Sequence, residues 1–511
     1  MAFTATIAEV IASDKTGLLA KHSSWERVPL SEVASILNGA PFDSSLFSTS
    51  QGFPLLRIRD VVSGTTSTFY TGPIEETFVV TAGEILVGMD GDFNTGFWGP
   101  TPALMNQRVC KITPDEIFYS KKLLSYVLPG YLAAINAATP SITVKHLSSR
   151  TIAEIELPLP PYNEQTRIVE KLEELLSDLD AGVAELKAAQ AKLVRYRQSL
   201  LKDAVEGALT AEWRQHNTPE ETGAQLLQGI LSERRARWEA KQLGKFAEQS
   251  KAPPKDWQKK YPEPVQPDTH DLPELPEGWV WASLSQVGWL DRGKSKHRPR
   301  NAPHLYGGPY PFVQTGDIRH SDTFITSSDA TYSEAGLAQS RLWPIGTMCI
   351  TIAANIGKTA ILSMEACFPD SVVGFLPATG ELSLRYIEYS MRAIQQKLEE
   401  EAPATAQKNI NLEILERSVI PIPPANEQTK IVEFLEKLFT TSTENNRAIL
   451  LCLKQSTAQR KNILRAAFSG QLVPQNPNDE PASALLARIR AGRATEASTT
   501  LRRRKRTDAG E

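Results

Sequence analysis

The sequence predicts an α+β class: two α+β globules alternating with two long helices that pair with each other as a coiled coil. Three observations predict it. One segment is written twice at a constant offset, the repeated segments carry a leucine heptad, and the stretches between them mix strand-length apolar runs with turns. "LPLPPYNEQTRIVEKLEEL" from Leu157 returns as "IPIPPANEQTKIVEFLEKL" from Ile420, an offset of 263 residues. The same offset aligns "RQSLLKDAVEGAL", ending at Leu209, with "RKNILRAAFSGQL", ending at Leu472. Beyond it, "EETGAQLLQGI" from Glu220 matches "DEPASALLARI" from Asp479 at an offset of 259. Ahead of each copy, "WERVPLSEVA" at Trp25 faces "WVWASLSQVG" at Trp279, and "FPLLRIRDV" at Phe53 faces "YPFVQTGDI" at Tyr310. Self-similarity at a fixed offset marks an architecture built from repeated units.

Residues 1–24 precede the repeat as an N-terminal extension. In the first globule, 25–156, "PLLRIRDVV", "GEILVGM" and "RVCKI" have strand length and composition, and "SKKLLSYVL" reads as helix. The first helical region, 157–210, opens on Pro158, Pro160 and Pro161, which hold the chain extended. Asn163 is placed to cap the helix that follows, as Asn426 is in the second copy. Leucines then recur every seventh residue at Leu172, Leu179, Leu186, Leu193 and Leu200. Ile168, Leu175, Ala189 and Tyr196 alternate with them, and Gly182 leaves a gap. At 1.5 Å per residue, about 43 residues make a rod of about 65 Å.

Residues 211–278 begin with a short basic amphipathic helix, "GAQLLQGILSERRARWEAKQLGKF". They continue as a linker with seven prolines between Pro253 and Pro276. The second globule, 279–419, offers "PFVQTGDI", "TMCITIA" and "SVVGFLPA" as strands, followed by the helical "LRYIEYSMRAIQQKLEEE". The second helical region, 420–473, keeps Ile431, Leu435, Leu438, Ile449, Cys452 and Ile463. It places Ser442, Asn445, Ser456 and Gln459 on the seam, where polar residues fix register at some cost in stability. The last segment, 474–511, ends in "RRRKR" at Arg502–Arg506 and reads as a solvated, disordered basic tail.

Bulk properties narrow the function. A chain of 511 residues exceeds one ordinary core. With 41% hydrophobic and 23% charged residues and a net charge of −3, it is no uniformly basic nucleic-acid coat, although local basic patches remain open to it. Cys110, Cys349, Cys367 and Cys452 stand far apart with no C-x-x-C pair, which suits a reducing cytoplasm and argues against a zinc site or disulfide framework. The first 25 residues lack a basic start followed by an apolar run, and no uninterrupted apolar run approaches a membrane span. A cytoplasmic location is expected.

Pro160-Pro161-Tyr162 resembles part of the Asn/Asp-Pro-Pro-Tyr site of DNA amino-methyltransferases. That chemistry needs a hydrogen-bond acceptor where Leu159 stands and a glycine-rich cofactor loop, which is missing. The second copy also replaces Tyr162 with Ala425. Gly357-Lys358-Thr359 hints at a phosphate loop, but Ile352 occupies the position of its first glycine, so a turn between two strands is expected. The chain reads as non-catalytic, with neither a metal nor a cofactor of its own. Base readout needs Arg, Lys, Asn and Gln on loops, with basic residues on phosphates. "DRGKSKHRPRN" supplies Arg292, Lys294, Lys296, His297, Arg298 and Arg300. The first globule offers Arg57, Arg59, Asn94, Gln107 and Arg108. The second globule's set is also readable as a basic surface loop with no ligand, and the first globule's weaker set as ordinary surface or turn residues. A fused methyltransferase and a coiled-coil scaffold with no DNA role are the competing readings.

Two divergent halves, each closing on "PLPPYNEQTRIVEKLEELL" or "PIPPANEQTKIVEFLEKLF" and a long helix, resemble the specificity subunit of a type I restriction–modification enzyme. "DAVEGAL" from Asp203 and "AAFSGQL" from Ala466 are similar to the ends of that family's helices. "ATAQKNINLEIL" from Ala404 is similar to the segment that closes its recognition domains, and "PSITVKHLSSRTI" is a poorer copy. The resemblance covers about residues 25–475. It implies that 25–156 and 279–419 are target-recognition domains, each reading half of a bipartite site in double-stranded DNA. It implies helices packed antiparallel as a spacer that docks two methyltransferase (M) subunits, joined by restriction–translocase (R) subunits. S-adenosylmethionine, ATP and Mg would belong to those partners. Two globules related by a pseudo-two-fold suit half-sites on opposite strands.

Overall fold

The computed structural model describes residues 3, 5–140, 144–402 and 409–507. These fall into two compact units, Met1–Lys187 with Leu450–Glu511, and Ala188–Ile449. The division cuts the two long helices, Tyr162–Val205 and Ala425–Phe468, near their middles. Each unit therefore holds one globule, the first half of the helix that follows it, and the second half of the other long helix.

In the first unit, strand Glu26–Pro29 pairs antiparallel with Glu156–Leu159, Glu26 lying opposite Leu159. This clasp ties both ends of the globule together where the long helix starts. Pro158 is tolerated because both strands of a two-stranded pair are edges. The main sheet has four strands in the order Ala34–Asn38, Val109–Pro114, Ile85–Gly88, Thr95–Phe97. Helix Lys121–Ala138 buries Leu124, Val127, Leu128, Tyr131 and Ile135, the i, i+3, i+4 face of an amphipathic helix. That face shares a core with Val28, Ile85, Val87 and Ile112. The N-terminal extension belongs to this core: helix Ile7–Ala12 contributes Ile7 and Val10, and Arg27 donates to the Leu19 carbonyl at 2.7 Å.

In the second unit the equivalent clasp is Val280–Ser283 with Val419–Ile422. Its main sheet runs Gly288–Arg292, Val372–Pro377, Met348–Thr351, Thr359–Leu362, Phe324–Ile325. Gly357 and Lys358 lie in the turn between two antiparallel strands of that sheet, with Gly357 at φ +73°. No nucleotide loop exists there.

Two expected strands end early for one shared reason. The run "PLLRIRDVV" leaves the extended state at Leu56 and turns through Ile58–Asp60, because the Asp60 carboxylate accepts from the Arg57 amide at 2.9 Å. In "PFVQTGDI" the extended part ends at Phe312 and helix Thr315–His320 follows, with Asp317 accepting from the Gln314 amide at 2.7 Å. Aspartate offers the backbone a local partner in place of a strand ladder.

Within each unit the long helices run antiparallel. In the first, Asp180 pairs with Arg460 at 2.6 Å, and Leu172 and Leu176 share a core with Ile463 and Phe468. In the second, Gln190 donates to Asn446 at 3.1 Å, Arg197 donates to Ser442 at 2.9 Å, and Leu200 joins Ile431 and Leu435. All eight heptad positions, Leu172, Leu179, Leu186, Leu193, Leu200, Leu435, Ile449 and Ile463, are buried or half-buried. Of the alternate positions, Ile168, Leu175, Ala189, Ser442 and Ser456 also face inward, while four shift by one. Val183 and Arg197 face inward where Gly182 and Tyr196 were expected, and Asn446 and Leu453 replace Asn445 and Cys452. An α-helix turns every 3.6 residues, so the buried stripe drifts against a strict seven-residue count. Gln459 is likewise exposed.

The offset-259 segments also build matching elements. Gly223–Glu248 and Ala482–Thr507 are both helices of 26 residues. The first buries Leu226, Leu227 and Ile230 in the second unit's core, and the second buries Leu485 and Ile489 in the first unit's core. The basic run Arg502–Arg506, expected to be disordered, continues this last helix. The closing motifs fall partly outside the described residues, at 141–143 and 404–408.

Candidate nucleic-acid interface

The repeated "NEQ" sits where globule meets helix, and its roles differ from those expected. The helices begin at Tyr162 and Ala425, so Asn163 and Asn426 stand inside the first turn and are not the caps. The carbonyls of Pro161 and Pro424 already accept the first helical amides, from Gln165 and Gln428, each at 3.0 Å. Proline suits this first position because it needs no amide partner there. Asn163 instead donates to Asp479 at 3.4 Å.

The next two residues form the joint. Glu164 accepts from the indole N–H of Trp25 at 3.0 Å, and Glu427 from that of Trp279 at 2.9 Å. Gln165 accepts from the Ser120 amide at 2.8 Å and donates to the Phe118 and Pro160 carbonyls. Gln428 accepts from the Ser383 amide at 3.1 Å and donates to the Pro423 carbonyl at 3.0 Å. Tyr119 and Tyr386 each donate to a clasp carbonyl, of Pro158 and Pro421. Lys122–Glu173 at 2.7 Å and Arg385–Glu436 at 3.1 Å repeat one ion pair at the 263-residue offset. The signal for these residues was available, since Glu and Gln recur unchanged where Tyr162 gives way to Ala425.

Both glutamates are buried but differently compensated. Glu427 also accepts from Thr210 at 2.7 Å and from Arg214 at 3.0 Å. Glu164 has Gln475 as its further partner, and burial holds its carboxyl above the usual range against the bonds from Trp25 and Gln475. In the second globule Glu388 is fully buried between Arg385 and Arg392, with Thr359 donating at 3.0 Å, and burial likewise pushes its carboxyl upward.

The joint fixes which end of each sheet projects away from it. In the first globule the strand end at Gly88 is bonded to Asn94 through its backbone, and Met89 to Arg108. Asn94, Gln107 and Arg108 are exposed on these neighbouring turns. Gly88 allows the Arg57–Arg59 turn close approach, since a Cβ there would fall 2.8 Å from Ile58. All five expected residues therefore gather at one end of the sheet. Asp90 bonds His146 at 2.7 Å and lies 3.4 Å from Arg108. Arg59 donates to Thr68 at 2.9 Å, and Arg57 lies 5.9 Å from the Phe47 ring centroid.

The second globule repeats this edge. Ile352 bonds the Ser371 carbonyl as Met89 bonds that of Arg108, and the Ala353–Asn409 bridge matches Asp90–His146. Beside it lies a cavity of about 490 Å³, lined by Arg292, Arg300, Asp370, Asn409 and Asn411 among others. The basic loop is less free than its sequence implied. Arg292 donates to the Asp370 carbonyl, Arg300 takes the Asp370 carboxylate at 2.8 and 2.9 Å, and Arg298 bonds the carbonyls of Ser295 and His297. His297 stands edge-on to His304 at 5.0 Å. Lys294 and Lys296 project into solvent, with no side-chain partner among the described residues.

Among the described residues no cluster of side chains could hold a metal ion, and no helix is long and apolar enough to cross a membrane. A family model described as the type I restriction modification DNA specificity domain matches residues 22–187 and 276–455. The chain is 32% identical over 533 residues to the type I restriction enzyme EcoBI specificity subunit of Escherichia coli, covering 99% of this chain and 100% of that one. It is 24% identical over 500 residues to the EcoDI specificity subunit of the same species, covering 94% and 98%. A chain from a structure concerned with complex assembly and conformational transition of the type I R-M system matches with a TM-score of 0.61 at 19% identity. That match covers 88% of this chain and 98% of that one, and shows the same fold.

Proposed function

The chain belongs to the type I restriction–modification DNA specificity family, and from that premise we propose that it reads a bipartite duplex target and directs adenine methylation or cleavage by partner subunits. It is the sequence-recognising subunit and carries no catalysis of its own. Residues 25–156 and 279–419 act as the two target-recognition domains, and 157–210 and 420–473 as the spacer that holds them. Two M subunits dock on the assembly and R subunits join it, bringing S-adenosylmethionine, ATP and Mg with them. The complex works in the cytoplasm.

One observation carries this reading. The same clasp and the same Trp–Glu, Gln–amide joint are built twice under sheet ends whose exposed residues differ. A fixed frame with a variable edge is what reading two different half-sites requires. Asn94, Gln107 and Arg108 can reach base edges from the first globule, with Arg57 and Arg59 beside them, while Lys294 and Lys296 suit phosphates in the second. Arg292 and Arg300 shape the second edge through Asp370, and His297 and Arg298 through contacts within the loop.

The test is to assemble the chain with its methyltransferase subunits and sequence the DNA they methylate. Two short blocks separated by a constant gap are expected. A single contiguous motif, or methylation without sequence preference, contradicts the reading.

A further inference from the structure

Helices Gly223–Glu248 and Ala482–Thr507 are equal in length, stand at one repeat offset, and seat their first turns on equivalent surfaces. The first packs on the clasp and on helix Leu284–Val287 of the second unit, the second on the clasp and on helix Leu30–Val33 of the first. Both lie outside the segments matched by the family domain. Past their buried turns the sequence of both becomes basic, and residues 490–495 of the second are exposed. Residues 231–248 carry five Lys or Arg against three Glu, and 490–507 carry seven against one, in a chain whose net charge is −3.

The first of these arms is braced by its own strap. Arg234, 4% exposed, lies 3.8 Å from the Trp289 ring centroid and donates to the Pro262 carbonyl. Trp257 stacks on Trp238 at 5.8 Å, with Tyr261 edge-on to Trp238 and Phe246 edge-on to Trp257. The aromatic side of the outer helix is thus covered by residues 257–261, and its solvent face is mostly charged, with Leu243 the exposed apolar residue among them. Lys241, Lys245, Lys251 and Lys255 are exposed and have no side-chain partner among the described residues. Lys241 and Lys245 on the braced helix and Lys251 and Lys255 in the segment just after it offer point charges on flexible stems, which suit phosphates better than base edges.

We propose that the two helical arms bind the phosphodiester backbone of duplex DNA, adding affinity that is independent of sequence. This rests on the DNA-reading function proposed above. Charge complementarity favours DNA over an apolar protein partner, because the strap already occupies the aromatic face.

The test compares the assembled complex with two variants. One combines Lys241→Gln, Lys245→Gln, Lys251→Gln and Lys255→Gln; the other replaces Arg502, Arg503, Arg504, Lys505 and Arg506 with Gln. Binding to a duplex with the target and to one without it is measured across a range of KCl. The expected result is weaker binding to both duplexes, with the methylated motif unchanged. The salt slope should fall by about 0.9 for every phosphate that is no longer neutralised. Unchanged affinity and slope overturn the proposal. So does dissociation of methyltransferase subunits from the complex at unchanged slope, which would make the arms protein-docking surfaces. If the unmodified complex shows no sequence preference in methylation, the parent reading is what fails.

Discussion

Trp25 donates its indole N–H to Glu164 at 3.0 Å across 139 residues of chain, closing the first globule onto the first turn of its long helix. Trp279 and Glu427 repeat the bond at 2.9 Å across 148 residues. A recognition globule can diverge between these two points without disturbing its mounting as long as it keeps its ends and the start of the helix after its main sheet. There Phe118–Lys122 and Ser383–Tyr386 meet the long helix and the clasp.

The two glutamates should respond differently to change. Glu427→Ala leaves Arg214, Thr210 and the Trp279 N–H without their acceptor, and Arg214 is only 22% exposed. Breaking such a pair from one side is expected to destabilise the second unit by roughly 3–5 kcal/mol, measured by urea unfolding. Glu164 has no Arg on it of comparable reach, so Glu164→Gln, which keeps an acceptor for Trp25, should cost far less.

The same contrast sets a pH dependence. Burial raises the Glu164 carboxyl in the folded chain, so its contribution to stability is fully present below the ordinary glutamate value and is lost as pH rises through the raised one. Glu164→Gln should flatten that part of the stability profile of the first unit. A mutant profile that keeps the wild-type slope in that window would show that other groups dominate.

Tyr162 donates to the Glu116 carbonyl at 2.8 Å on the surface, and the second copy does without it at Ala425. Tyr162→Ala is therefore expected to cost about 1 kcal/mol or less and to leave methylation by the assembled complex nearly unchanged. Loss of methylation with normal assembly would restore a chemical role to this tyrosine.

Arg197 is a polar member of the helix seam, bonded to Ser442 at 2.9 Å and to the Phe439 carbonyl at 3.2 Å, with its guanidinium 5.5 Å from the Phe439 ring centroid. Arg197→Ala should destabilise the second unit by about 1–3 kcal/mol in chemical denaturation, since the hydroxyl and carbonyl partners lose their donor. The bases recognised should stay the same.

Much of this was legible in the sequence, and the gaps have physical causes. The heptad leucines pointed to the helix pair because packing demands an apolar stripe whatever else varies. Ile168, Leu175 and Ala189 keep their expected places, whereas Val183 and Arg197 take the seam in place of Gly182 and Tyr196 because the helix follows its own period. Asn163 looked like a cap because asparagine commonly is one, whereas the proline carbonyl ahead of it had already started the helix. Glu164 and Gln165 do not stand out in the sequence, because charged and amide residues near a helix start usually face water; only the fold reveals that Trp25 and Ser120 converge on them. The sheet-end cluster of Arg57, Asn94 and Arg108 came from scattered loops whose proximity depends on strand order. The basic loop overstated its free charge, because Asp370 lies 70 residues from Arg300 in sequence.

The central claim is that each globule reads its own half-site on a fixed mount. It is tested most directly by exchanging residues 25–156 for those of another family member, keeping Glu164, Gln165 and both long helices, and sequencing the DNA methylated by the assembled complex. The account predicts that one half of the bipartite motif changes while the other half and the gap between them stay as they were. A change in both halves would contradict it.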